Sequence, residues 1–253
     1  MRHGTRCEKA RRAHSIYALN AQIPLGGEAS PFAPSCLPSW RVSDMVRPVL
    51  AQLPIPSWLK RHQLDAAHCL YATQLPASLA PGRDTLRAIW ELHPAEFPEI
   101  TIHGRIVKAP RWQQAYGRDY RFSGRVNRAL PVPTPLEPLL AWSKEQLDPR
   151  LNGLVLNWYD AAREHYIGPH RDKTKGLVRG APIVTISLGE ERVFRLRPWK
   201  ATGVLDFPAQ HGAVFVMPFE TNQAFTHEVP HFARYEGRRI SVTVRAFDDL
   251  EGG

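Results

Sequence analysis

Three cysteines occur in 253 residues, Cys7, Cys36 and Cys69, far apart and all in the first third. They can build neither a disulfide framework nor a four-cysteine zinc site, and such sparse usage suits a reducing cytosol. No run of about 18 apolar residues is present, so a membrane-spanning helix is excluded. Acidic side chains are outnumbered, 24 against 33 Lys and Arg, for a formal net charge of +9. That imbalance points to an anionic partner such as nucleic acid. The basic start MRHGTRCEKARRAHS is followed by no apolar core, so a secretory leader is not expected. No internal repeat is visible.

What is present changes character along the chain. Residues 1–44 mix arginines with the Gly/Pro/Ser-rich stretch GGEASPFAPSCLPSW, which offers too little apolar surface to order itself, and are read as a flexible extension to a domain spanning 45–253. Within that domain, PGRDTLRAIWELHPAEF predicts a short helix with Asp84 as N-cap and Leu86, Ile89 and Trp90 at helical spacing. A second helix is predicted from about Pro135, carried by Leu136, Leu139, Leu140 and Trp142 and stopped by Pro149. Beyond Pro149 the texture is all β. GLVLNWY, APIVTISLG, RVFRLRP, GAVFVMP and RISVTVRAF are short β-branched or aromatic runs punctuated by Gly and Pro. They predict a sandwich, jelly roll or barrel with the two helices packed outside.

One constellation carries chemistry. In HYIGPHRDKT, His170 and Asp172 stand two apart, so on a strand they share a face while Arg171 points away. His227, in NQAFTHEVP, comes 55 residues after Asp172, far enough to arrive from another strand. Two histidines and a carboxylate form the facial triad that leaves open positions on ferrous iron. In RISVTVR, Arg239 and Arg245 share the face of Ser241 and Thr243, opposite Ile240, Val242 and Val244. Two such guanidinium groups can clasp a short dicarboxylate. Asn157 and Tyr159 likewise share a face of LNWY. Two further histidines are read as structural, His165 at an odd offset and His211 at a turn, and His231, behind Pro230, is read as a loop residue and not a metal ligand.

These residues resemble the AlkB-type iron- and 2-oxoglutarate-dependent dioxygenases, in the branch of nucleic-acid repair homologues. The resemblance spans roughly residues 95–247 and rests on PRWQQAYGRDYRFSG, NWYDAAREHYIGPHRD, APIVTISLG, HGAVFVM, the distal His227 and RRISVTVRAF, in the family's order. It implies an α+β chain with a double-stranded β-helix (jelly-roll) core and a few flanking helices. It also implies Fe(II) on His170, Asp172 and His227, 2-oxoglutarate held by Asn157, Tyr159, Arg239 and Arg245, and O2 as oxidant. The reaction implied is oxidative dealkylation of N-alkylated bases, of the 1-methyladenine or 3-methylcytosine type, releasing formaldehyde, succinate and carbon dioxide.

By the same resemblance, the base-recognition region lies at about 95–130, with Tyr120, Phe122 and Ser123 forming the base-stacking element of a monomer that acts on alkylated DNA or RNA. Arg111 and Thr174 are further candidates for substrate contact. Arg105, Lys108, Arg111, Arg118, Arg121, Arg125 and Arg128 crowd this stretch, a basic band suited to phosphate contacts. The chain departs from the repair members after Asp172, where they commonly place further acids and Lys173 and Thr174 stand here. Two other readings stay open. One is an oxygenase of a protein, lipid or small molecule, which Lys173 and Thr174 favour. The other is a nonenzymatic nucleic-acid-binding or structural-metal jelly-roll protein, which has no need of the dicarboxylate clamp.

Overall fold

A computed structural model of the chain describes residues 56–102, 104–122 and 125–248, and of 102, 122 and 125 the backbone only. All lie in the unit Arg47–Gly253. The N-terminal extension, His103, Ser123 and the Phe122 ring fall outside the described residues.

The first half of the domain supplies β1 (Lys60–Gln63), β2 (Cys69–Gln74), helix α1 (Arg83–Trp90), β3 (Glu99–Ile102), β4 (Arg105–Lys108), β5 (Trp112–Tyr116), β6 (Tyr120–Phe122), β7 (Arg125–Asn127) and helix α2 (Glu137–Gln146). The second half supplies β8 (Gly153–Asp160), β9 (Ile167–His170), β10 (Ile183–Gly189), β11 (Arg192–Pro198), β12 (Leu205–Ala209), β13 (Ala213–Met217), helix α3 (Phe219–Ala224), β14 (Phe225–Val229) and β15 (Arg238–Arg245). A seven-stranded sheet runs in the order β1-β2-β13-β10-β15-β8-β5, and a four-stranded sheet in the order β12-β11-β14-β9. β3-β4 and β6-β7 are separate hairpins. The ladders within both sheets are antiparallel.

Alternation along the strands explains how the layers stack. Leu154, Leu156 and Trp158 of β8, Ile240, Val242 and Val244 of β15, and Val184, Ile186 and Leu188 of β10 join one apolar cluster with Ile89 and Trp90 of α1 and Leu139 and Trp142 of α2. The helices thus cover one face of the large sheet. The opposite face meets the small sheet through a second cluster, in which Ile183, Phe215 and Met217 pack with Phe194, Leu196, Ala209 and Phe225. Two sheets closed on each other in this way form the jelly-roll core. Trp158 ties the outer layer to the sheet, because its fully buried indole Nε1 donates to the Ile89 carbonyl at 3.0 Å.

Each of the five runs read as strands beyond Pro149 lies on a strand, β8, β10, β11, β13 and β15. Two details differ from the sequence reading. The large sheet is not confined to the second half, since β1, β2 and β5 complete its edges; the CLYATQ run of β2 is buried on consecutive residues and shows no period of two. Asp84 is not the N-cap of α1. Gly82 holds that position without a side-chain cap, and Asp84 sits in the first turn, where its charge opposes the helix dipole favourably.

Candidate metal centre and its anion clamp

The antiparallel pairing of β9 and β14 sets His170 directly opposite His227, with ring centroids 4.3 Å apart. Strand register therefore brings together two side chains far apart in sequence. Asp172 lies two residues beyond His170, past the end of β9, and so does not owe its placement to strand alternation. Asn222 of α3 holds it instead. The Asn222 side chain accepts from the Asp172 backbone N–H at 2.9 Å and donates to its carbonyl at 3.0 Å. Arg171 does turn away, stacking 4.1 Å from the Trp199 ring centroid and donating to the Gln223 carbonyl at 2.8 Å.

Ligand atoms from His170, Asp172 and His227 all lie within 4.8 Å of one another. His170 Nδ1 is 2.9 Å from the Gly168 carbonyl, which fixes that nitrogen as the protonated one and leaves Nε2 as the electron-pair donor. Desolvation first, then the neighbouring His227, pushes the His170 pKa down to about 3, and desolvation lowers that of His227. Burial alone would raise the Asp172 pKa, but the Arg245 guanidinium and the two histidines override it and hold the carboxyl at about 2. The site thus keeps two neutral imidazoles and a carboxylate, the protonation state that binds a cation. Asp172 Oδ1 is buried without a hydrogen-bond partner, as a ligand oxygen would be, so the residues fit a divalent metal.

The neighbouring clamp is built on β15 and β8. Arg239 and Ser241 pair with Tyr159 and Asn157 across the ladder. Arg239 is fully buried. Its Nε donates to Ser187 Oγ at 2.9 Å, while Ser187 Oγ donates to the Ala209 carbonyl at 2.9 Å. Both terminal nitrogens of Arg239 have no partner. Burial pushes its pKa down, and an unpaired buried guanidinium costs several kcal/mol, on the order of what a bidentate carboxylate would recover. Arg245 is committed differently, donating from Nε and Nη2 to Asp172 Oδ2 at 2.8 and 2.7 Å, with Nη1 unpartnered. These residues fit a 2-oxo dicarboxylate beside the metal.

Arg111 is the clearest departure from the sequence reading. The sequence places it in a basic band suited to phosphate contacts, yet it is buried and donates from Nε to Asn157 Oδ1 at 2.8 Å, where Gln113 Nε2 also donates at 3.0 Å. Two donors on that oxygen orient the Asn157 amide. Tyr120 is buried and lines the metal cavity. Its ring lies 4.8 Å from the Arg245 guanidinium and 6.4 Å from the Phe247 ring centroid. Arg111, Tyr120, Asn157, Tyr159, His170, Asp172, His227, Arg239 and Arg245 all line one cavity. Thr174 lines an adjoining cavity with Lys173, Lys175 and Trp199, which His170 and Asp172 also border. His165 and His211 accept from backbone N–H groups, of Asp160 at 3.2 Å and Gly189 at 3.1 Å. Both are structural. Sequence reasoning missed Asn222, Ser187 and Gln113, whose roles depend on contacts between elements.

The fold and this site suit a metal and a 2-oxo acid held side by side in one cavity. The family model of the 2OG-Fe(II) oxygenase superfamily matches residues 93–245, and the chain belongs to that superfamily, whose members use Fe(II), 2-oxoglutarate and O2. Within it the chain is similar to AlkB-type proteins. It is 28% identical over 157 residues to the human DNA oxidative demethylase ALKBH2, covering 58% of this chain and 60% of that protein. The mouse protein of the same name is 29% identical over 158 residues, covering 58% and 66%. The chain thus spans about 60% of the length of the curated relatives it matches. The solved structure of OsALKBH1 superposes with a TM-score of 0.47 at 14% identity, covering 74% of this chain and 99% of that one. Among the described residues no helix is long and apolar enough to cross a membrane.

Proposed function

We propose that the protein is an Fe(II)- and 2-oxoglutarate-dependent dealkylase of bases in DNA or RNA that carry an alkyl group on a Watson–Crick-edge nitrogen, with 1-methyladenine and 3-methylcytosine as reference cases. The observation that carries the reading is the convergence of two unlike sites in one cavity: the His170, Asp172 and His227 donors, and the buried, unpaired fork of Arg239. A structural metal would need no such fork.

In this reading His170, Asp172 and His227 hold iron, and Arg239, with Asn157 and Tyr159, holds the 2-oxo acid. The bound metal and cosubstrate supply oxygen activation, in which one oxygen atom enters succinate as carbon dioxide leaves and the other enters a substrate C–H bond. The chain's own residues position and insulate. Arg245 keeps Asp172 ionised and fixed through Oδ2, Asn222 fixes its backbone, and Arg111 with Gln113 sets the Asn157 amide. Hydroxylation of an N-methyl group gives a hemiaminal, which breaks its C–N bond to release formaldehyde and return the N–H or the neutral ring nitrogen. Exposed Arg105, Lys108, Arg118, Arg121 and Arg128 supply the cationic face that phosphates require, and the family likeness to DNA demethylases supports the same substrate class.

The test is mass spectrometry of N-methylated oligonucleotides incubated with the iron-loaded protein, 2-oxoglutarate and air. Loss of one methylene mass, dependent on 2-oxoglutarate, is expected. Succinate formation on protein or small-molecule substrates, with every methylated oligonucleotide unchanged, would overturn the nucleic-acid assignment and leave an oxygenase of another substrate.

A further inference from the structure

Two cavities adjoin the metal cavity. One shares His170 and Asp172 with it and is also bordered by Arg171, Lys173, Thr174 and Lys175. The other shares Tyr120 and is bordered by Arg118, Arg121, Arg128, Lys173 and Lys175, with Asp119 and Asp248. Lys173 and Lys175 therefore stand at both approaches to the metal site. The three linings together carry nine Arg and Lys residues against four acids, Asp119, Asp172, Glu228 and Asp248.

Two of those acids pair with cations of the same linings, Arg245 and Arg128, which still leaves seven Arg and Lys residues against two acids. Asp172 is paired with Arg245 and is a metal donor, Glu228 pairs with Arg197 at 2.7 Å, Asp119 pairs with Arg128 at 2.6 Å, and Asp248 has a partner as well. Ferrous iron and a doubly ionised 2-oxo acid bring opposite charges that cancel, so loading the site leaves the cationic excess in place. A base that carries a fixed positive charge meets like charge at either approach, in a cleft where screening is weaker than in bulk water. A neutral base meets no such penalty. Of the side chains that follow the metal carboxylate, the Lys173 ammonium only donates hydrogen bonds, while the Thr174 hydroxyl both donates and accepts. The ammonium complements carbonyl oxygens better than the exocyclic amine of a cationic base.

Resting on the dealkylase reading above, we propose that the preferred substrate is a neutral N-alkylated base presenting carbonyl acceptors on its alkylated edge, of the 3-methylthymine or 3-methyluracil kind. Cationic 3-methylcytosine and 1-methyladenine are then the disfavoured members of the class. Lys173 is the specificity-determining residue.

The experiment compares two oligonucleotides identical except for 3-methylthymine or 3-methylcytosine, which differ in charge, in one carbonyl against one amine and in the C5 methyl group of thymine. Equilibrium binding is measured on the protein loaded with Fe(II) and 2-oxoglutarate without oxygen, and initial dealkylation rates after oxygen is admitted. We expect the 3-methylthymine strand to bind about fivefold or more tightly and to turn over faster, and Lys173→Glu to shift the affinity ratio toward 3-methylcytosine by about fivefold or more, with Lys173→Gln between. Lys173 is exposed, so the variants keep the fold. Tighter binding of 3-methylcytosine by the unaltered protein, or an affinity ratio that ignores Lys173→Glu, would overturn the inference while leaving the dealkylase reading intact. If neither strand binds above the unmodified control and neither is dealkylated, the dealkylase reading fails and the inference fails with it.

Discussion

Arg245 and Asp172 form a buried, two-pronged ion pair, Nε and Nη2 both donating to the single oxygen Oδ2. The remaining oxygen, Oδ1, is left unpartnered beside the two histidines. One side chain thereby divides the carboxylate into an anchored half and a donor half. Removing the arginine leaves a buried carboxylate without its counter-ion, a change that costs roughly 3–5 kcal/mol. Arg245→Met should lower the unfolding free energy of the metal-free protein by that amount in urea titrations. Saturating Fe(II) should recover much of the loss, because the metal replaces the missing positive charge.

Asn222 holds the backbone of Asp172 at both its N–H and its carbonyl and touches no ligand atom. Outer partners of this kind typically change metal affinity by about 10–100-fold. Asn222→Ala should weaken Fe(II) binding within that range in anaerobic titrations, with saturated turnover much closer to that of the unaltered protein. A variant that binds iron normally would show that the segment after β9 is rigid without the clamp.

Arg239 presents the opposite balance. Its two unpaired terminal nitrogens make it a burden on the empty protein and an asset once a carboxylate arrives. Arg239→Met should leave the metal-free protein as stable or more stable in thermal unfolding, while raising the 2-oxoglutarate concentration needed for half-maximal rate by about 100-fold, on the order of a lost charge-assisted bidentate contact of ~3 kcal/mol. Fe(II) affinity measured without cosubstrate should hardly move.

The histidines set the pH behaviour of the metal-free protein. His170 falls from an ordinary 6.5 to about 3 on folding, and His227 shifts in the same direction, both led by desolvation. Between those values the unfolded chain binds protons that the folded one refuses, so stability drops as pH falls from about 6.5 toward 3. Asp172 adds a loss in the same direction at lower pH, its stabilisation present above its ordinary 3.8 and lost as pH falls through about 2. The midpoint of thermal unfolding should therefore decline steadily below pH 6.5 and steepen at the acid end. His170→Gln, which removes one of the groups, should flatten the first part of that decline.

Much of this architecture is written in local pattern. The alternation in RISVTVR separates Ile240, Val242 and Val244, which enter the helix-covered cluster, from Arg239 and Arg245, which enter the cavity. GLVLNWYD does the same for Leu156 and Trp158 against Asn157 and Tyr159. A period of two can be read without a partner, and so these side chains were legible. Arg111 was not, because a guanidinium counted in a basic stretch gives no sign that Asn157 will pair with it from the adjacent strand. Asn222 sits on a six-residue helix, too short to show a helical period, and its partner lies 50 residues away. The strand Cys69–Gln74, between β1 and β13, was hidden for a related reason, since its buried residues run consecutively.

The central claim is that a base in nucleic acid is oxidised at an iron site on His170, Asp172 and His227 while 2-oxoglutarate is consumed. The most direct measurement is the stoichiometry of formaldehyde and succinate released from an N-methylated oligonucleotide by the unaltered protein and by Asp172→Ala. Equal amounts of both products from the unaltered protein, and neither from the variant, are predicted. Formaldehyde without succinate, or undiminished turnover by Asp172→Ala, would contradict the account.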